Sequence, residues 1–371
     1  MYKSFRVKNF RCFKDLQIND LGRVNLIAGK NNTGKTALME AMYIHSGNRE
    51  AKTLLRTEHY ESSRLFREFM PSETQDDSKS LMSWDSLFQD FETCKSIELI
   101  ARIEVGETLF EGQLFDSTVS VSSKSVESMD IDDILSQLRI EDLDRYRFVD
   151  VLEIKSDADR RSTYLAILNG RVRASRIRTN SLRKSDFLYA QEKIDSRLNA
   201  HRISNMRQSN DLETLVSALN DIESRLVGLE LLFDGSRPVI YADIGLSQLV
   251  PLSHLGDGMN RVASLILAMS EVPKGTIFID EIENGIHFTV QKDMWKAIAL
   301  VSMESSIQVI ATTHNWEMIE AAYEAFVELD QLNEFRFHRL NRIANTEEIE
   351  AITYNKAGIE AFIRSQYEVR G

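Results

Sequence analysis

Three hydrophobic patterns alternate along the chain and locate its elements. At the N-terminus Phe5, Val7 and Phe10 interleave with Arg6, Lys8 and Asn9, the two-residue repeat of a half-buried strand. A second strand is expected over 16–18. Val24-Asn25-Leu26-Ile27-Ala28 is a short apolar run ending at a glycine, as in a strand buried on both faces. Residues 36–46, rich in Ala, Met and Leu, predict a helix. After Pro238 this alternation resumes. Strands are expected over 239–244, 276–279 and 307–311, helices over 258–270, 289–302 and 316–328, and a closing strand pair over 334–340 and 348–354. Strands alternating with helices predict an α/β fold with a mainly parallel sheet.

The middle of the chain carries weaker patterns. Residues 96–105 and 108–114 read as a strand meander, 126–147 as an acidic helix, and 148–154 and 164–167 as further strands. From 211 to 232, Leu212, Leu215, Leu219, Ile222, Leu226 and Leu229 recur every three or four residues, the stripe of an amphipathic helix. The expected organisation is one head formed by 1–52 and 237–371, with 53–236 as a mixed α+β insertion. No repeat, low-complexity tract or proline-rich linker interrupts the 371 residues.

Composition narrows the class. With 43% hydrophobic and 27% charged residues, the chain reads as a soluble globular protein. No apolar run is long enough to span a bilayer, and the N-terminus lacks the apolar core of a signal peptide. Cys12 and Cys94 are too few for a disulfide framework or a zinc site. A cytoplasmic protein with no membrane partner is expected. The net charge of −12 argues against a dedicated nucleic-acid coat, but it is unevenly spread. Acidic residues dominate between Glu73 and Lys155, basic ones between Arg160 and Arg207. The two stretches read either as solvated faces that partly pair, or the basic one as a patch for nucleic acid or a partner.

The chemistry lies at the strand ends. Gly29-Lys30-Asn31-Asn32-Thr33-Gly34-Lys35-Thr36 matches G-x-x-x-x-G-K-[ST] between a buried strand and a helix. Its glycines let backbone N–H groups close on phosphate oxygens, and the helix beginning near Ala37 aims its N-terminus at the same anion. Lys35 is expected to bridge the β- and γ-phosphates and Thr36 to ligate Mg²⁺. Thr276-Ile277-Phe278-Ile279-Asp280-Glu281 is a buried strand with two carboxylates at its C-terminal end, where a ligand can meet them. Asp280 is expected to hold Mg²⁺ through water and Glu281 to polarise the attacking water. Ile310-Ala311-Thr312-Thr313-His314 is a third such strand, with His314 placed to sense the γ-phosphate. Gly256-Asp257-Gly258 opens a helix upstream of Asp280.

The order of these motifs resembles the ATPase heads of the ABC/SMC/RecF class, and this is the basis for expecting a P-loop NTPase head with N-terminal antiparallel strands. Asn9-Phe10-Arg11-Cys12-Phe13 resembles that class's opening strand, His254-Leu255-Gly256-Asp257-Gly258-Met259-Asn260-Arg261 its signature motif, and the run from Phe278 to His287 its Walker B and D-loop. The strongest likeness is to bacterial ATPases related to the OLD nucleases (transporter-like AAA ATPases), specific over roughly 1–50 and 237–371.

The resemblance implies an ATPase using ATP and Mg²⁺, working as an ATP-dependent homodimer or higher oligomer. In such a pair, Gly256, Asp257 and Gly258 of one subunit cap the γ-phosphate bound to Lys35 of the other. It further implies that Asn32 helps position the water and that Arg11 lies near the nucleotide. The chain departs from the transporter cassettes in lacking the serine of their signature, and the glutamine loop is not located. The stretch after His314 is too short for the TOPRIM nuclease domain of the OLD enzymes, so nuclease activity is not carried over. The leading expectation is an ATPase subunit controlling a separate effector protein in bacterial anti-phage defence. The alternative is a RecF-like DNA-repair ATPase.

Overall fold

The computed structural model of the chain describes residues 1–47, 87–104, 113–124, 150–157, 162–168, 171–175, 184–190, 195–344, 346–354 and 356–364. β1 (Tyr2–Phe10) turns back into β2 (Phe13–Ile18), with Phe10 opposite Phe13. Asn9 and Arg11 near the turn take left-handed backbone angles. β3 (Val24–Gly29) is buried along its whole length and delivers the chain to α1 (Lys35–His45).

Strands β4 (Ile97–Glu104), β5 (Leu114–Lys124), β6 (Asp150–Ser156), β7 (Thr163–Leu168) and β8 (Arg171–Ala174) then extend the first sheet in the order β2-β1-β4-β5-β6-β7-β8, every pairing antiparallel. β9 (Ser185–Leu188) crosses to the second sheet.

Next come α2 (Ser196–Gln208), capped by the Asp195 carboxylate accepting from the N–H groups of Arg197 and Leu198, and α3 (Leu212–Asn220). A three-stranded sheet follows, of β10 (Gly228–Asp234), β11 (Arg237–Asp243) and β12 (Val250–Pro251). The remainder alternates: α4 (Asp257–Met269), β13 (Thr276–Ile279), α5 (Phe288–Glu304), β14 (Gln308–Thr313), α6 (Trp316–Glu328), β15 (Phe335–Arg342), β16 (Ile349–Tyr354) and α7 (Lys356–Arg364).

The second sheet runs β16-β15-β3-β14-β13-β9. All its pairings are parallel except β15 with β16. Both of its faces are covered, and the period of two along each strand sorts side chains between two cores. Ile277, Ile279, Val309 and Ala311 pack with helices α2 to α6. Phe278 and Ile310 point the other way, against α1 and the antiparallel sheet. This explains why α1 is apolar almost all round: Leu38, Met39, Ala41 and Met42 fill the space between two sheets. Each large side chain buried this way contributes roughly 1.5–3 kcal/mol. Trp295 at the centre of α5 is fully buried, its indole N–H directed at Met318 Sδ at 3.0 Å.

The fold class matches the expectation. Several local expectations do not. The helix predicted over 211–232 ends at Asn220, and 228–234 forms β10. Leu226 and Leu229 are buried as the leucine stripe predicts, but Leu226 from the loop before β10 and Leu229 from a hairpin that turns at Gly235, which has a φ of 61°. Strands β4 to β8 and β9, all from the stretch read as an insertion, join sheets begun by β1 and β3. The acidic helix expected over 126–147 lies outside the described residues. None of the described helices is long and apolar enough to cross a membrane.

Candidate nucleotide site at the ends of three parallel strands

β3 ends at Gly29, where a Cβ would meet the carbonyl oxygen of Leu340 and the hydroxyl of Thr33, each at 2.7 Å. Only glycine lets the loop leave the sheet there. Gly34, with φ of 81°, sits so close to Cys12 and Phe13 that a Cβ would come within 2.5 Å of both. Between them Asn31 and Asn32 are exposed, and Thr33 is buried, with its hydroxyl donating to Lys30 O at 2.9 Å. Ala37 is buried in the first turn of α1. Lys35 Nζ donates to the carbonyls of Gly29 at 2.8 Å and Lys30 at 3.2 Å. Its ammonium therefore rests on the loop's own backbone. Burial pulls the Lys35 pKa down, opposed by the charges of Asp280, Glu281 and Glu283.

Parallel register brings the other half of the site to this loop. Ile279 pairs with Ala311 and Thr312 with Ile27, so Asp280, the end of β14 and the loop after β3 share one edge. Asp280 is buried and accepts two hydroxyl hydrogen bonds, from Thr36 at 2.9 Å and from Thr312 at 2.6 Å. Burial pushes its pKa up, and the two hydroxyls and Lys35 work against that rise. Glu281 adopts a φ of 46°, an angle that costs a non-glycine residue about 1–3 kcal/mol and is held only where surroundings dictate it. Its N–H donates to Thr312 Oγ1 at 2.9 Å, and its carboxylate accepts from Asn284 Nδ2 at 2.9 Å. His314 Nδ1 lies 3.8 Å from Glu281 Oε1 and 2.8 Å from Glu283 Oε1. Glu283 is buried, and the same oxygen accepts the backbone N–H of His314 at 2.9 Å.

Lys35, Thr36, Asp280, Glu281 and His314 are thus brought together. Thr312, Glu283 and Asn284 join them, and sequence reasoning gave none of these three a role. The only signal for them was position: Thr312 ends an apolar strand, and Glu283 and Asn284 follow a carboxylate pair. The adjoining Thr36 hydroxyl and Asp280 carboxylate are hard oxygen donors, the kind Mg²⁺ takes sparingly alongside phosphate oxygens and water. The donor set therefore fits that ion. Among the described residues no cluster of three or more His, Cys, Asp or Glu side chains is arranged to hold a metal.

The remaining candidates lie further out. Gly256, with φ of 106°, and Asp257 are exposed at the start of α4, and a Cβ on Gly256 would meet nothing within 4 Å. Gly258 is half-buried against Val290 of α5, 3.5 Å from its own Cβ position. Arg11 points its guanidinium at Glu40 of α1, 2.8 Å away, and stacks over Phe10. Glu40 is so deeply buried that its pKa rises to about 7 despite Arg11.

Most basic side chains between Arg160 and Arg207 lie outside the described residues. Of those described, Arg202 pairs with Asp186 and Arg207 with Glu230, while Lys184 and Arg197 are exposed. Gln89 follows Phe88, which bridges to Phe10, and the preceding Leu87 carbonyl accepts the N–H of Arg11.

The family model described as "AAA domain, putative AbiEii toxin, Type IV TA system" matches residues 113–320, more than half of the chain. The chain belongs to that family. A second model, AAA ATPase domain, matches residues 1–166 and takes in the phosphate loop. The chain is an ATPase of this AAA group. It is similar to the ATP/GTP phosphatase of Helicobacter pylori, 26% identical over a 353-residue alignment that covers 89% of this chain and 90% of that protein. It is also similar to the DNA replication and repair protein RecF of Clostridioides difficile, 41% identical over 51 residues, 14% of each chain. Among solved structures, the SMC head domain from Thermotoga maritima aligns with a TM-score of 0.44 and 13% identity, covering 95% of this chain and 98% of that one.

Proposed function

We propose that this family member binds Mg²⁺-ATP at Lys35, Thr36 and Asp280, pairs with a second copy around the nucleotide, and uses the bound state to control a separate effector protein in anti-phage defence. The observation that carries the reading is Asp280 bonded to both Thr36 and Thr312, with Glu281 beside it and fixed by Asn284. That arrangement gathers a phosphate loop, a cation-binding carboxylate and a second, partly exposed carboxylate at one edge of a sheet.

In this reading Lys35 leaves the Gly29 and Lys30 carbonyls for the β- and γ-phosphates. A bound Mg²⁺ would offset phosphate charge. Glu281 orients the attacking water and takes its proton, helped by Asn32, and His314 donates towards the γ-phosphate while Glu283 holds its backbone N–H. Gly256 and Asp257, solvent-facing at a helix start, and the half-buried Gly258 cap the γ-phosphate of the other copy through backbone N–H groups. Arg11 sits where it can report the state of the loop to the antiparallel sheet. The toxin–antitoxin wording of the family description supports the effector and defence parts. The cytoplasm is the compartment that fits.

The test is native mass of Glu281→Gln purified from its host with Mg²⁺-ATP, with and without nuclease. Extra protein mass that resists nuclease is expected. ATP- and metal-dependent degradation of nucleic acid by the protein alone would overturn the separate effector.

A second, RecF-like reading is favoured by the short match to RecF. It predicts DNA binding that weakens steeply with salt; salt-independent binding, or none, counts against it.

A further inference from the structure

Away from the phosphate loop, a cavity of about 160 Å³ opens between β9, α2, α4 and the end of β13. Its apolar lining comes from Leu188, Leu198, Leu265, Ile279, Ile282 and Ile286. One charged side chain on its wall is conspicuously under-used. Arg202 is buried, its side chain only 8% exposed, and among the described residues it makes one hydrogen bond, from Nη2 to Asp186 Oδ2 at 3.1 Å. Its buried Nε has no acceptor among the described residues. A guanidinium carries five N–H donors in a planar fork, so this one has a buried donor unspent beside a cavity. Asn199, also on the wall, donates its amide N–H to Ser264 Oγ at 2.8 Å.

We infer that this cavity is a binding site for a small monocarboxylate with a compact apolar body, the carboxylate taken by Arg202 and the body by the leucines and isoleucines. The volume is close to that of apolar cavities that admit benzene, which sets the size of the body. A carboxylate is the acceptor that matches the guanidinium fork. The cavity walls are also parts of the ATP site. Ile279 precedes Asp280; Ile282 and Ile286 bracket Glu283 and Asn284; α4 begins at the Gly256 to Gly258 loop. An occupant braces these elements and changes ATP turnover. This coupling rests on the ATPase reading, whereas the binding does not.

The probe is benzoate, titrated by calorimetry and by methyl NMR on the full chain. Saturable binding at one site is expected, with shifts at the Leu198 and Ile286 methyls. Arg202→Lys keeps the charge but loses the fork and should bind about tenfold more weakly. Leu198→Trp, at a helix position 44% exposed and so tolerant of change, should block the cavity and abolish binding while its melting curve stays cooperative. Benzyl alcohol, the same ring without the carboxylate, should bind at least about tenfold more weakly than benzoate. No saturable binding to the wild type, equal binding in both variants, or equal binding of the alcohol would each overturn the site. Benzoate should alter wild-type ATP turnover and leave that of Leu198→Trp unchanged; intact binding with unaltered turnover would overturn the coupling.

Discussion

Glu283 Oε1 stands 2.8 Å from Nδ1 of His314 and accepts that residue's backbone N–H at 2.9 Å. One buried carboxylate oxygen thus holds the main chain of the histidine by a hydrogen bond and lies against its ring. A misplacement of about 1 Å at a reacting centre can cost around 10²-fold. Glu283→Ala should therefore lower ATP turnover by about that factor with ATP affinity little changed. Single-turnover kinetics and a nucleotide titration check this; an unaltered turnover would show that His314 needs no such anchor.

Glu281→Gln should bind ATP and turn it over about 10²–10⁴-fold more slowly, accumulating as a nucleotide-bound pair by light scattering. Gln retains the acceptor for Asn284 but cannot take a proton. Near-normal turnover would mean that another group activates the water.

Lys35→Ala should abolish nucleotide binding, read by fluorescence titration with a labelled ATP analogue. Gly34→Ala should fail in a different way. Its added carbon would clash with Cys12 and Phe13 and force a left-handed angle on alanine, so both affinity and melting temperature should fall. A Gly34→Ala protein with normal affinity would contradict the described loop.

Glu40 makes stability depend on pH in a stated direction. Its pKa in the fold is about 7, above the ordinary 4.5, because burial outweighs Arg11. A raised carboxyl pKa means that its contribution is fully present below about 4.5 and is lost as pH rises through about 7. Glu40→Gln should therefore gain on the wild type by roughly 3 kcal/mol between pH 5 and pH 8, measured by urea unfolding at the two pH values. A gap that stays constant with pH would refute it.

The parts of the site legible in sequence share one physical cause. A strand buried on both faces must be apolar throughout, so Asp280 and Glu281 could only stand at its end, and the same rule marked Gly29 and His314. What could not be read depends on pairing between distant segments. β9 is four residues of mixed polarity, Ser185 to Leu188, and only its parallel register with β13 makes it part of the core. The leucines after Asn220 keep helical spacing, yet the hairpin at Gly235 decides their conformation. Glu283 and Asn284 look like ordinary loop residues until His314 and Glu281 arrive beside them.

The central place of β3 has a consequence for how the protein is made. Asn25 in β3 donates to the carbonyl of Val309, 284 positions later, and both hydrogen-bonding edges of β3 are closed only by β14 and β15. At ribosomal speeds of about 5–20 residues per second, the strand waits roughly 15–60 s for its first neighbour. During that interval a largely apolar segment has left the tunnel without its sheet. Production of this protein should therefore depend on chaperone supply, and slowing elongation after β3 should increase aggregation rather than relieve it.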